Sequence, residues 1–174
     1  MDKIQLLQER KTKIAEVGKN VRARINALID AESFVELSAF SFSKNEFYNE
    51  ECVGEGVVTG FATIGGYPFY IVAQNYGVCD GGMTKANCDK IVKCLEAAEK
   101  NSTPVVYLLN THGVQVGEGV TVLEGLAKLL MKATQLKEEI TQYVVIDGEV
   151  YGAAAMLASV ADFTFFLDKR VCSR

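Results

Sequence analysis

The residues best placed to do chemistry without a reactive side chain lie between Tyr143 and Phe166. A β-branched apolar run, Val144-Val145-Ile146, leads into Asp147-Gly148; Gly152 then opens the small-residue run Ala153-Ala154-Ala155, and a second apolar run follows Asp162. The pattern predicts a strand, a tight turn at Asp147-Gly148, a buried helix and a strand. The first N–H groups of a helix have no partner inside it. With Gly152 and Ala153 at that start, no bulky side chain bars a ligand oxygen from those N–H groups, and the helix dipole favours negative charge there. A plainer reading stands beside this one, because small residues also let a helix pack closely on a sheet.

Two further glycine-bearing segments, Asp80-Gly81-Gly82 and Asn110-Thr111-His112-Gly113, fall after predicted strands, as Asp147-Gly148 does. Ligands in open α/β sheets bind outside the strand C-termini, so these loops carry the functional weight. None is a nucleotide fingerprint: neither G-x-G-x-x-G nor G-x-x-x-x-G-K-[ST] occurs, and no G-x-S-x-G elbow is present. His112, the only histidine, is a candidate general base, with a loop or capping role as the alternative. The carboxylates are scattered and no pair stands out for acid–base work. Five cysteines, an odd number with no Cys-x-x-Cys pair, argue against a disulfide framework or a metal site. Cys88 and Cys94, six apart on a predicted helix, do not share a face as a ligand pair would. Reduced thiols are expected, with Cys172 near the C-terminus open to oxidation in handling.

The elements that position these loops follow from periodicity. Residues 3–30 are helical by pattern, with Ile4, Leu7, Ile14 and Val17, then Val21, Ile25, Leu28 and Ile29, recurring among charged residues on either side of Gly18. The first half of this stretch is an exposed amphipathic arm, better suited to another subunit or domain than to its own core. Arg22 and Arg24 could bind an anion or form a solvated charged face. Residues 33–37 alternate as a short strand, and residues 38–54, polar and aromatic without period, are expected to form a surface loop. Residues 57–64 and 67–73 form a β-hairpin turned at Gly65-Gly66, where two residues of positive φ are needed. Helices are expected at 84–100 and 120–136, and strands at 104–109 and 142–146. A hairpin followed by three helix–strand units is α/β in class. The division expected is a helical arm over 1–32 and one domain over 33–174.

Composition narrows the function classes. A chain of 174 residues supports one proper core, and 49% hydrophobic with 23% charged residues describes a folded globular protein. A net charge of −4 gives no reason to expect nucleic acid or an anionic membrane as partner. No apolar run is long enough to span a bilayer, and the Met1-Asp2-Lys3-Ile4 start lacks a signal peptide's apolar core, so the cytoplasm is expected.

Several motifs in one order then resemble a known family, the N-terminal half of the carboxyltransferase subunit of biotin-dependent acyl-CoA carboxylases and decarboxylases (propionyl-CoA carboxylase β and glutaconyl-CoA decarboxylase α types). Ala23-Arg24-Ile25-Asn26-Ala27-Leu28-Ile29-Asp30 with Ser33-Phe34-Val35-Glu36-Leu37 is similar to its opening, A-R-E-R-I-x-x-L-x-D-x-G-S-F-x-E-L. Gly54-Glu55-Gly56-Val57-Val58-Thr59-Gly60 resembles G-D-G-V-V-T-G, Ala73-Gln74-Asn75-Tyr76 resembles A-Q-D-F, and Asp162-Phe163-Thr164-Phe165 resembles T-D-F-x-F. Lys90-Ile91-Val92-Lys93 keeps a helix motif of the family. The resemblance implies a crotonase-like (ClpP/crotonase) fold of repeated β-β-α units, incomplete at the C-terminus. It also implies an acyl-CoA substrate, with the enolate oxygen of the thioester stabilised by backbone N–H groups. The positions implied for that catalytic role are Gly152, Ala153, Gly81 and Gly82, with Gly113, Gly148 and Gly119 implied around the bound cofactor or substrate, and no metal.

The sequence departs from the family at His112, where a glycine is usual, at Gln115 for an arginine and at Asn110 for an aspartate. Gly152-Ala153 keeps one glycine of two. The resemblance ends soon after Phe166, so the biotin side, which the family's C-terminal domain contributes, is expected from a partner. The partners implied are therefore a biotin carrier protein, a chain supplying the C-terminal carboxyltransferase domain, and further copies in a trimer or larger ring. Two alternatives remain: a degenerate, non-catalytic assembly or regulatory protein of the same fold, and a stand-alone hydrolase or isomerase using Glu118 or His112.

Overall fold

In the computed structural model, which describes residues 3–45 and 50–167, the N-terminal helical stretch is two helices rather than one. α1 (Lys3–Val17) and α2 (Lys19–Asn26) meet at Gly18. The missing side chain there makes room for the Arg22 guanidinium, whose Nη1 donates to the Ile14 carbonyl at 2.8 Å. α1 has no buried residue and leaves Ile4, Leu6 and Leu7 exposed. α2 is different: Val21 and Ile25 are buried against the sheet.

β1 (Val35–Leu37) follows, and then a correction to the expected loop. Residues 38–54 hold an antiparallel hairpin of β2 (Phe42–Asn45) and β3 (Glu50–Val53). Cys52 and Val53 anchor it by burial with Val78 and Cys79, against Ile14, Val17 and Phe42. That anchoring is tertiary, which is why local periodicity did not reveal the strands.

β4 (Val57–Ile64) and β5 (Tyr67–Gln74) form the expected hairpin, with Gly65 and Gly66 at φ 60° and 81°. The Asp30 carboxylate accepts from both glycine N–H groups, at 2.9 and 2.8 Å, and ties the hairpin tip to the end of α2. Three helix–strand units come next. α3 (Lys85–Lys100) is N-capped by Thr84, whose hydroxyl accepts from Asn87 N–H at 3.0 Å, and leads to β6 (Val105–Thr111). α4 (Val120–Gln135) leads to β7 (Gln142–Val150), and α5 (Ala153–Val160) to β8 (Phe163–Phe166).

The six-stranded sheet runs β1-β4-β5-β6-β7-β8, antiparallel at its first two pairs and parallel at its last three. α3, α4 and α5 bury Ile91, Leu95, Leu129, Ala154 and Leu157 on one face; α2 buries Val21 and Ile25 on the other. Helices on both faces are what a parallel sheet requires, and the unbroken apolar runs of β5 and β6 match that double burial. The cover over α2's face is partial. A cavity of about 630 Å³ lies there, lined by Leu28, Ile64, Phe69, Leu108, Tyr143 and Phe165 among others. Phe163, Phe165 and Phe166 on the edge strand β8 are half exposed.

The tight turn expected at Asp147-Gly148 does not form; β7 continues through both residues to Val150. The β6–β7 register shifts between Leu109 and Thr111, so that Thr111 pairs with Val150. A Cβ on Gly148 would lie 2.3 Å from the Asn110 side chain. Gly148 is therefore needed for a close crossing and not for a reversal. Cys52, Cys79, Cys88 and Cys94 are buried free thiols, while Cys172 lies outside the described residues. Among the described residues no helix is long and apolar enough to cross a membrane.

Candidate active site

The parallel strands β5, β6 and β7 deliver three connections to the same end of the sheet, after Gln74, Thr111 and Val150. Backbone bonds stitch the first two together. Met83 N–H donates to Gly113 O at 2.8 Å, Gln115 N–H to Met83 O at 2.9 Å, and His112 N–H to Asp80 O at 3.4 Å. The Thr111 hydroxyl donates to Gly81 O and accepts from Gly113 N–H, so one buried side chain holds both loops. The third connection packs on the second: a Cβ on Gly113 (φ 95°) would lie 2.9 Å from Tyr151 O.

Five of the seven glycine and alanine positions expected from the sequence thus gather around Asn110–Gly113. Gly81 packs on Asn110 O and the Thr111 Cα, Gly148 on the Asn110 side chain, Gly113 on Tyr151, and Gly152-Ala153 begins α5 directly after Tyr151. The other two sit further along the loops. Gly82 packs against the Gln115 amide, and Gly119, at φ 60°, begins α4 facing open space.

The donors differ in availability. Gly81 N–H and Gly82 N–H are already bonded, to Val78 O at 2.9 Å and Cys79 O at 2.8 Å, within the short turn Cys79–Gly81. Cys79, Asp80 and Gly81 all take left-handed φ values in that turn, at 47°, 53° and 67°. At α5, Gly152 has φ 56° and its missing Cβ faces nothing within 4 Å. Ala155 N–H turns back to Gly152 O at 3.1 Å, so the earlier N–H groups of this helix start are the ones left for a ligand. A left-handed glycine with open space in front of it is the arrangement in which a helix N-terminus can meet an oxygen anion.

His112 brings side chains that sequence reasoning did not join. Its Nε2 lies 2.7 Å from Glu149 Oε2 and 2.8 Å from Tyr76 Oη. The Tyr76 ring meets the imidazole edge-on at 5.1 Å, and the Tyr151 ring stands 5.9 Å away. Desolvation, then the carboxylates of Glu149 and Asp80, push the Tyr76 phenol above its ordinary range. Glu149 could have been suspected only from strand alternation beyond Gly148, which the expected turn obscured. Glu118 is committed elsewhere, its carboxylate accepting Lys85 N–H at 2.8 Å at the start of α3. Neither arginine of α2 is free for an anion: Arg22 grips Glu36 at 2.8–3.0 Å, and Arg24 pairs with Asp147. Among the described residues no group of three or more His, Cys, Asp or Glu could hold a metal ion.

The chain is similar in sequence to known carboxylase and decarboxylase subunits. It is 32% identical over 149 residues to the propionyl-CoA carboxylase beta chain of Cereibacter sphaeroides, covering 84% of this chain and 29% of that protein. It is 32% identical over 184 aligned residues to the methylmalonyl-CoA decarboxylase subunit alpha of Veillonella parvula, covering 95% and 36%. It thus spans about a third of the length of these curated relatives. Among solved structures, the transcarboxylase 12S hexamer with methylmalonyl-coenzyme A and methylmalonic acid bound superposes with a TM-score of 0.83 at 26% identity, over 93% of this chain and 34% of that one. A Pseudomonas malonate decarboxylase hetero-tetramer, with TM-score 0.76 and 24% identity over 84% of this chain and 57% of that one, shares the fold, which is crotonase-like. The family model of the carboxyl transferase domain matches residues 15–172, and this chain belongs to that family, corresponding to the N-terminal half of such a subunit.

Proposed function

We propose that this chain is the acyl-CoA-binding part of a biotin-dependent acyl-CoA carboxyltransferase. The carrying observation is the start of α5: Gly152, left-handed and unobstructed, presents the first N–H groups of the helix at the C-terminal end of three parallel strands. A thioester carbonyl seated there would be polarised as its oxygen becomes an enolate, and fixed N–H dipoles favour that charge far more than they favour the ground state. Ala153 keeps an N–H and adds only a methyl, so the loss of the family's second glycine does not remove the donor. Gly81, Gly82, Gly113 and Gly148 act by letting the loops close around the site, and Gly119 by opening α4.

Biotin, on a carrier protein, supplies the carboxyl group when bound; the open space at Gly152 suits an approach from outside this chain. This chain's own residues hold and polarise the thioester. The exposed face of α1, the half-exposed phenylalanines of β8 and the apolar groove beside α2 together favour further chains as partners, both copies and a chain carrying the C-terminal carboxyltransferase domain. The cytoplasm is the compartment proposed.

Calorimetric titration with acetyl-, propionyl- and glutaconyl-CoA, against free CoA, tests the site. Binding of at least one thioester about tenfold or more tighter than CoA is expected, a difference of about 1.4 kcal/mol. Equal affinity for thioester and free CoA would remove the oxygen site.

A further inference from the structure

We infer that His112 is a general base that exchanges the α-proton of the bound acyl thioester, a proton-transfer activity that needs no biotin. The inference rests on the proposed thioester site at α5.

The geometry assigns the proton on the ring. Glu149 Oε2 stands 2.7 Å from Nε2, and a carboxylate facing an imidazole nitrogen keeps the hydrogen on that nitrogen. Nδ1 then carries the lone pair, and no partner for it occurs among the described residues. A carboxylate that orients and polarises an imidazole whose other nitrogen faces the substrate is the arrangement of hydrolytic triads, here with the two nitrogens exchanged. Tyr76, at 2.8 Å from Nε2 and edge-on to the ring, and Tyr151, 5.9 Å away, limit how far the imidazole can swing. The imidazole is nevertheless 47% exposed, so a substrate can reach it.

Its position matches the task. His112 precedes Gly113, which packs against the Tyr151 carbonyl, and Gly152 comes next. The base and the start of α5 therefore sit on two loops packed together at one end of the sheet, and we place the thioester between them, the pairing that its enolisation needs. In the step, Nδ1 takes the α-hydrogen as a proton. The C–H electron pair becomes the C=C bond, and the carbonyl π pair moves to the oxygen at the helix start. Reversal returns a solvent-derived proton to carbon. Nothing is oxidised or reduced, and no leaving group departs.

The full chain with propionyl-CoA in D2O, followed by proton NMR at the α-methylene, gives the readout, with calorimetric binding measured alongside. Wild type is expected to exchange the signal above the buffer rate. His112→Ala is expected to slow exchange about 100-fold or more with affinity changed less than about threefold, and added imidazole to restore part of the rate. Glu149→Gln, which leaves the base but not its orientation, is expected to slow exchange about tenfold with binding unchanged. Wild type that binds the thioester without exchanging it, or His112→Ala exchanging at the wild-type rate, overturns the inference alone. Absence of thioester binding overturns the site reading and this inference with it.

Discussion

Arg24 on α2 and Asp147 in β7 form a two-pronged ion pair, Nε to Oδ2 and Nη2 to Oδ1, and the same guanidinium donates from Nη1 to the Gln74 carbonyl at 2.9 Å. Both side chains are mostly buried, at 23% and 13% exposed. One residue thus fastens α2 to the end of β5 and to β7, three residues before that strand ends at Val150. Truncating a partner leaves the other charge and a carbonyl uncompensated, so Arg24→Ala is expected to cost about 2–4 kcal/mol. Arg24→Lys keeps the charge but loses the fork, and should recover less than half of that. Urea unfolding of Arg24→Ala, Asp147→Asn and the double variant measures the coupling; strictly additive losses would contradict the pair.

Lys90 on α3 is 5% exposed, and its ammonium donates to Gly54 O at 2.9 Å and Val57 O at 2.7 Å. Burial lowers its pKa from the ordinary 10.5 to about 8, partly offset by Glu36 and Glu55. Below about pH 8 both folded and unfolded chains hold this proton. Between pH 8 and 10.5 the unfolded chain binds it more, so this group makes stability rise with pH, by at most about 1.4 kcal/mol per pH unit. Unfolding wild type and Lys90→Met in parallel should show wild type gaining on the variant across that window. A constant difference from pH 7 to 10.5 would rule out the depressed pKa.

Much of this architecture was legible in the sequence because short-range pattern and long-range packing agree. Gly65-Gly66 set the hairpin, Thr84 the start of α3, and Gly152 the start of α5. The misreadings share a cause. Gly148 and the β2–β3 hairpin take their meaning from partners far along the chain, Asn110 for one and Val78 with Cys79 for the other, and no local window contains them. The glycine-bearing loops were legible as connections after strands, yet whether a glycine faces open space, as at Gly152, or makes room for a neighbour, as at Gly81, is decided by contacts that no local window contains. Glu149 and Tyr76 meet His112 from opposite directions in the chain, 37 and 36 residues away, and only the parallel sheet brings them together.

Cys88 and Cys94, at 0% and 3% exposed on α3, give a pH response of the opposite sign to Lys90. Burial raises each thiol from the ordinary 9.0 to about 12. Their contribution is fully present below pH 9 and is lost as pH rises from 9 toward 12, because the unfolded chain releases these protons first. Stability should therefore fall above pH 9, by up to about 1.4 kcal/mol per pH unit for each thiol. The Cys88→Ala/Cys94→Ala double variant should show a flatter alkaline decline in urea unfolding, whatever its stability at pH 7. An unchanged slope would mean that these thiols ionise while folded.

Gly81 and Gly152 are both left-handed, at φ 67° and 56°, but they differ in what surrounds them. A Cβ at Gly81 would lie 2.8 Å from Asn110 O and 3.1 Å from the Thr111 Cα, backbone atoms of β6 that cannot swing aside. A Cβ at Gly152 would meet nothing within 4 Å. Gly81→Ala combines the left-handed penalty with overpacking and is expected to cost about 3 kcal/mol or more. Gly152→Ala should carry only the conformational cost of its φ 56°, ψ −128° backbone, about 1–3 kcal/mol. The ligand response should run the other way among the folded proteins, since a methyl at Gly152 stands in the space proposed for the thioester oxygen. Gly152→Ala is expected to bind propionyl-CoA about tenfold more weakly while its affinity for free CoA stays near wild type. Unfolding and titration of the two variants together separate the roles, and undiminished thioester binding by Gly152→Ala would move the oxygen site away from the start of α5.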